Sequence, residues 1–206
     1  MTVIDDTDAF ADSRMTIWEH LAELRTRMIR CAIAVAVGVA VGFFLYPRVV
    51  EFLVRPYQQI DPTAKLYAPS LVEPFAIRMQ TSLYLGFALA MPVLLWQLWR
   101  FVTPGLYPHE KRYAVPFTAS ALILFGLGAT IAYLSLPATI QFLIDIAGIE
   151  VEQITSIDSY LKLNLFMMLA FGTGFEFPVL LVALMLVGVL SARQLLGWWR
   201  YAMVII

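Results

Sequence analysis

The sequence predicts an all-α integral membrane protein, built as a polytopic bundle of membrane-spanning helices. The chain has 206 residues, of which 61% are hydrophobic and 14% are charged, whereas soluble domains are about 45–50% apolar and about 25% charged. Its mean hydropathy is +0.78, and a soluble domain of this size has too little interior to bury so much apolar surface. The formal net charge is -1, so no basic field favours a nucleic acid as partner.

Four long apolar runs, each bracketed by charged residues, supply the spanning helices. A helix needs about 20 apolar residues to cross the hydrocarbon core. Unpaired backbone groups are not tolerated in lipid, so these runs should be helical. We expect spans at about residues 28–47, 77–99, 113–136 and 160–190. A fifth apolar segment starts at residue 198 and stops at residue 206, which predicts a chain truncated within its fifth span.

Prolines predict where these helices stop, because proline interrupts the helical hydrogen-bond ladder. Pro116 and Pro137 lie near the two ends of the third apolar run and are expected to mark its boundaries. Between Pro47 and Pro74 the prolines recur, and this pattern favours short, rigid pieces over one long helix.

The N-terminus is predicted to lie in the cytoplasm. Residues 1–15 form an acidic tail without the basic region of a cleavable signal peptide, so the first span should be retained as an anchor. Residues 16–206 are expected to form a single transmembrane domain. Lys and Arg are more numerous in the loops on the side of the N-terminus, and such loops are usually cytoplasmic. The loop Gln97–Arg112 is then cytoplasmic.

The sequence contains no recognisable catalytic or metal-binding motif. The single cysteine, Cys31, cannot form a disulfide within the chain. The two histidines, His20 and His109, belong to no zinc-hydrolase or Ser-His motif. We therefore expect a protein without enzymatic activity and without a cofactor.

Three acidic residues are candidate functional groups. Glu176 is the only charged residue in the fourth apolar run, and a charge at membrane depth is costly enough to make a functional site the default interpretation. A neutral Glu176, hydrogen-bonded between helices, is the alternative. Glu23 stands in a predicted helix start and can pair with Arg27 four residues on, which by itself favours an ordinary solvated ion pair. Glu110 is a lone acid among basic residues, where a local ion pair is the simpler interpretation.

Four separated segments together resemble the twin-arginine translocase subunit family TatC. They are His20–Arg27, Pro69–Phe75, Gln97–Arg112 and Gly174–Val179, and the likeness extends from Thr16 to Ile206. The resemblance implies a curved, glove-shaped bundle of six spans in the bacterial cytoplasmic (inner) membrane. It also implies the single-span subunits TatA and TatB as partners, in hetero- and homo-oligomers.

The same resemblance implies a receptor for signal peptides that carry a paired Arg motif, which helps to move folded proteins across the membrane using the proton-motive force. Glu23 and Glu110 match the acids implicated in recognition of the peptide, and Arg25, Phe101 and Arg112 match other positions of that site. Glu176 matches an intramembrane acid on the concave face. A carboxylate suits this task because its two oxygens match the guanidinium fork. From the residues alone, a proton-coupled secondary transporter of a small solute remains the alternative.

Overall fold

The computed structural model describes most of the chain. The described residues are 17–60, 67–68, 70–102, 114–147, 156–186, 190–191 and 197. Glu110, Arg112, the acidic tail of residues 1–15 and the expected fifth span from residue 198 lie outside them.

The described part consists of five helices. They are α1 (Ile17–Ile60), α2 (Glu73–Val102), α3 (Ala114–Ala147), α4 (Ile157–Phe175) and α5 (Phe177–Leu186). Within the described residues, four segments are long and apolar enough to cross a membrane, namely Leu21–Gln58, Glu73–Phe101, Val115–Ile146 and Ile157–Met185. The prediction of an all-α, multi-pass membrane bundle is therefore confirmed. Six spans in all stay a prediction.

Helices α1 and α2 run antiparallel, and small residues bring them into close contact. Gly38 lies against the backbone of Gly86, and Gly42 lies against Ser82. In lipid, such small residues let helix backbones approach closely and gain packing energy. We call the side where α1 begins and α2 ends the proximal side, and the side where α1 ends and α2 begins the distal side.

Helix α1 runs unbroken through Pro47 and Pro56, so the expectation of short pieces after Pro47 is wrong for this part of the chain. Pro47 has no N–H to bond the carbonyl four residues earlier, which belongs to Phe43. Arg78 of α2 donates to that carbonyl at 3.0 Å, and its guanidinium group lies 4.0 Å from the centre of the Phe43 ring. A neighbouring side chain thus replaces the hydrogen bond that the proline removes.

Pro56 is accommodated in the same way. It leaves the carbonyl of Phe52 without its helical donor, and the hydroxyl of Tyr133 on α3 donates to that oxygen at 3.0 Å. The rings of Phe52 and Tyr133 are stacked, with their centroids 4.5 Å apart. Next to them, the carbonyl of Leu53 accepts a hydrogen bond from Tyr160 on α4 at 2.6 Å. These contacts join three helices in the distal half.

Helix α3 also continues past Pro137, as far as Ala147. The expectation that Pro137 marks a boundary is wrong, because ending a helix in the membrane would leave four carbonyls unpaired rather than the one that a proline frees. Pro116 does lie in the first turn of α3, where the missing N–H costs nothing. The position of a proline within an apolar run therefore predicts a helix boundary better than the number of prolines does.

Tyr133→Phe should lower the free energy of unfolding by about 1–3 kcal/mol, the cost of leaving a backbone carbonyl within a membrane span without its donor. The substitution keeps the ring stacked on Phe52 and removes only the hydroxyl donor. The measurement is denaturant unfolding in detergent micelles. Tyr67→Phe removes the same atom from an exposed side chain and should be neutral; equal effects of the two changes would contradict the explanation.

Candidate functional site

Two apolar cavities lie side by side toward the proximal side of the bundle. The larger has a volume of about 490 Å³ and lies among α1, α2 and the end of α4. The smaller has a volume of about 190 Å³ and lies among α2, α3, α4 and α5. Both are lined by Leu95, Leu98, Thr173 and Glu176, so they flank one shared wall.

The larger cavity is suited to an apolar ligand with a few polar groups. Its wall includes Met28, Phe87, Met91 and Phe101, which offer flexible and aromatic apolar surface. Cavities of this size and character are typical of ligand sites in proteins. Groups of three or more residues able to hold a metal ion are absent from the described residues.

A part-buried ion pair lies next to one end of this cavity. Glu23 pairs with Arg27 one turn further along α1, and Arg27 is only 8% exposed. Arg27 Nη1 also donates to Gln97 Oε1 of α2 at 3.4 Å. The pair expected from the spacing does form, but the expectation that it is solvated is wrong, because α2 packs over it.

The ion pair is incompletely satisfied. Glu23 Oε2 and Arg27 Nε are both buried and have no hydrogen-bond partner within the described ranges. Arg27 lines the cavity, together with Gln97. Low-dielectric surroundings make such unpartnered atoms costly, so this end of the cavity has unused capacity for polar groups.

Glu176 lies at an interruption of the fourth span. It follows the last residue of α4 and has φ -73° and ψ -18°. Its backbone N–H donates to the carbonyl of Thr173 at 3.1 Å, and the helical pattern resumes when Leu180 N–H donates to the carbonyl of Glu176 at 2.9 Å. Pro178, within this first turn of α5, has no N–H to continue the ladder from α4. The break therefore coincides with the acidic residue.

The carboxyl group of Glu176 is directed into protein rather than into lipid. Its Oε1 atom is buried and has no hydrogen-bond partner among the residues that the structure describes. The residue lines both cavities. It thus offers a polar acceptor inside a mainly apolar wall, where a polar group of a bound partner would be favoured.

The structure unites some of the predicted site residues and not others. Phe101 and Glu176 line the larger cavity, and Glu23 lies next to it through Arg27. Arg25 is exposed on α1 and is not part of the cavity wall. Glu110 and Arg112 lie outside the described residues, so their place at the site stays a prediction.

Sequence reasoning did not identify Arg27 and Gln97 as site residues. Arg27 has the spacing of an ordinary surface pair with Glu23, and Gln97 is one polar residue near the end of an apolar run. Their contact joins positions 70 residues apart, and no local pattern indicates such a contact. The fold brings them together because α1 and α2 run antiparallel.

Comparison with known proteins shows which family the chain belongs to. The family described as Sec-independent protein translocase protein (TatC) matches residues 19–206. The chain belongs to the TatC family. The resemblance stated from the sequence motifs is therefore confirmed.

Individual TatC proteins match over most of the chain. The TatC protein of Aquifex aeolicus is 38% identical over 93% of this chain and 81% of its own length. That of Frankia casuarinae is 34% identical over 94% of this chain, which spans 57% of the relative's length. A crystal structure of a twin arginine translocase receptor, TatC, superimposes with a TM-score of 0.79, at 38% identity over 91% of this chain and 83% of that one.

Proposed function

We propose that this TatC family member is the receptor subunit that binds Arg-Arg signal peptides and helps to translocate folded proteins across the membrane. The observation that carries the proposal is the larger cavity, which has a mainly apolar wall and is linked at its proximal end, through Arg27, to the carboxylate of Glu23. A signal peptide has the complementary order, with guanidinium groups next to an apolar segment. Family membership supplies the reason to choose this ligand over others.

Recognition would depend on charge and geometry, without catalysis. A guanidinium group bound by Glu23 makes two parallel hydrogen bonds with the carboxylate, which an ammonium group cannot do. Glu110, which lies between α2 and α3 in the sequence, would take the second arginine. The apolar segment of the peptide would then lie in the cavity, against Phe101 and Met91. Arg25 and Arg112 belong to the same site by family resemblance.

Glu176 would act after recognition. A buried acceptor inside the bundle is suited to a polar side chain on an inserted helix, because interhelical hydrogen bonds stabilise association in lipid. We assign it to contacts with the partner subunits TatA and TatB in a hetero- and homo-oligomeric complex driven by the proton-motive force. The protein would then lie in the bacterial inner membrane with its N-terminus, and so its proximal side, in the cytoplasm.

The transporter alternative gains no support from the fold. Secondary transporters commonly carry broken helices in corresponding positions of two repeats. The break at Glu176 has no counterpart in the first two described spans, where α1 and α2 each run through their prolines without interruption. Among the described spans, an interruption at Glu176 without a matching one in α1 or α2 favours a point of helix contact over a transport pathway.

Photocrosslinking from Met28, which lines the cavity, tests the proposal. An Arg-Arg signal peptide should crosslink to the full-length protein in native membranes, and Glu23→Gln should weaken its binding about 10–100-fold, the cost of losing a charged hydrogen bond. A Lys-Lys peptide should crosslink much less. Phe44, 81% exposed on α1, is the control position and should give no peptide crosslink. Equal crosslinking of the two peptides, or a full signal with Glu23→Gln, would refute Glu23 as the reader of arginine.

A further inference from the structure

Glu23 is already bound by a guanidinium group of the same chain. We propose that Arg27 is an internal competitor, which occupies the Glu23 carboxylate until an arginine of the signal peptide displaces it. The inference rests on the proposed function, and it adds a residue that sets the affinity and the selectivity of that site.

The position of Arg27 supports its role as a competitor for the Glu23 carboxylate. Arg27 lines the larger cavity, whereas Glu23 is not part of its wall. The Glu23 side chain is 23% exposed and that of Arg27 is 10% exposed. Because Arg27 and not Glu23 forms the wall, a guanidinium group that approaches through the cavity meets Arg27 before the carboxylate.

The resting pair is suited to exchange. A carboxylate left alone in a buried site would be strongly destabilising, so Arg27 compensates Glu23 while no peptide is present. Yet Glu23 Oε2 and Arg27 Nε find no hydrogen-bond partner in the described part of the chain. A peptide arginine that binds both carboxylate oxygens would satisfy the atom that Arg27 leaves unpaired, and this difference favours the exchange.

Gln97 can hold the Arg27 side chain after that side chain leaves Glu23. Its Oε1 accepts from Arg27 Nη1 at 3.4 Å, a contact on α2 that does not depend on Glu23. Arg27 can thus release the carboxylate and keep one hydrogen bond. The Arg27–Glu23 pair lowers the affinity for every peptide, because a ligand must displace a guanidinium group. A peptide lysine cannot form the two parallel hydrogen bonds needed to do so.

The test is a double-mutant cycle on the full-length protein in lipid nanodiscs. The affinity of a fluorescent Arg-Arg signal peptide is measured for the wild type and for Arg27→Gln, Glu23→Gln and the double variant. We expect Arg27→Gln to tighten binding about tenfold, equivalent to about 1.4 kcal/mol. In the Glu23→Gln background the same change should have no effect, because the competitor then has nothing to occupy. Binding of a Lys-Lys peptide should tighten at least as much.

Matched controls separate competition from folding. Arg30→Gln removes the same charge from an exposed position one turn further along α1 and should change affinity less than about twofold, within ordinary additivity errors. Gln97→Leu weakens the hold on Arg27 without removing its charge. It should tighten binding a few-fold, and it keeps the proposal testable if Arg27→Gln fails to fold.

The outcomes distinguish this inference from the proposed function. Weaker or unchanged binding in both Arg27→Gln and Gln97→Leu would overturn the competitor and leave the receptor intact, provided that Glu23→Gln still weakens binding. If the wild type and Glu23→Gln bind the Arg-Arg peptide equally, the proposed recognition site itself is wrong, and the competitor fails with it.

Discussion

Glu176→Ala is expected to reduce translocation of a twin-arginine substrate at least about tenfold while the affinity for its signal peptide stays within about twofold of wild type. The residue lines both cavities, and its Oε1 is buried without a partner in the described part of the chain. Alanine removes the only acidic side chain of the fourth apolar run. Recognition at Glu23 involves other helices and should persist.

Two measurements check this separation of roles. Export is followed in inverted membrane vesicles, and peptide binding is followed on the purified protein. Glu51→Ala serves as control, because Glu51 forms only an exposed pair with Arg55 at 3.7 Å, and such pairs contribute little. Glu176→Gln tells hydrogen bonding from charge: it should retain part of the export if an interhelical hydrogen bond is what matters. If Glu176→Ala loses peptide binding and export together, Glu176 belongs to the same site as Glu23.

Gly86→Leu is expected to abolish the folded bundle, and Gly86→Ala to destabilise it by about 1–3 kcal/mol or more through overpacking. A Cβ at Gly86 would lie 2.5 Å from the backbone nitrogen of Val39. Because this obstacle is backbone, α1 and α2 would have to move apart over a long interface.

The matched comparison for that prediction is Gly126→Ala. A Cβ at Gly126 on α3 meets no atom within 4 Å, so the same change should be tolerated. Yield of monodisperse protein and thermal unfolding in detergent report the difference. Similar stability of Gly86→Ala and Gly126→Ala would show that close approach of the first two helices does not stabilise the fold.

The sequence predicts the spans well because membrane helices obey one dominant constraint, that of apolar length. It fails at Pro47, Pro56 and Pro137, where a helix continues. For Pro47 and Pro56 the missing hydrogen bond is replaced by side chains of other helices, Arg78 and Tyr133. Such donors lie tens of residues away in the chain, so local pattern cannot reveal them.

The site is predicted to a different degree for each residue. Glu176 can be predicted from the sequence, because a lone charge in an apolar run is costly in a membrane and therefore indicates a functional site. The helical spacing of Glu23 and Arg27 is explained by an ordinary ion pair. Only the family motif makes Glu23 a candidate site residue. Arg27 and Gln97 become important because the packing of α1 against α2 buries both side chains and brings them together.

The hydrogen bond from Arg78 to the Phe43 carbonyl couples the evolution of positions 47 and 78. Arg78 fills a need that exists only because residue 47 is proline. A lineage that loses the proline releases position 78 from selection for a donor, and a lineage that loses the arginine first must tolerate an exposed carbonyl until the proline also changes. Positions 47 and 78 should therefore vary together during evolution, even though neither side chain is part of the cavity walls.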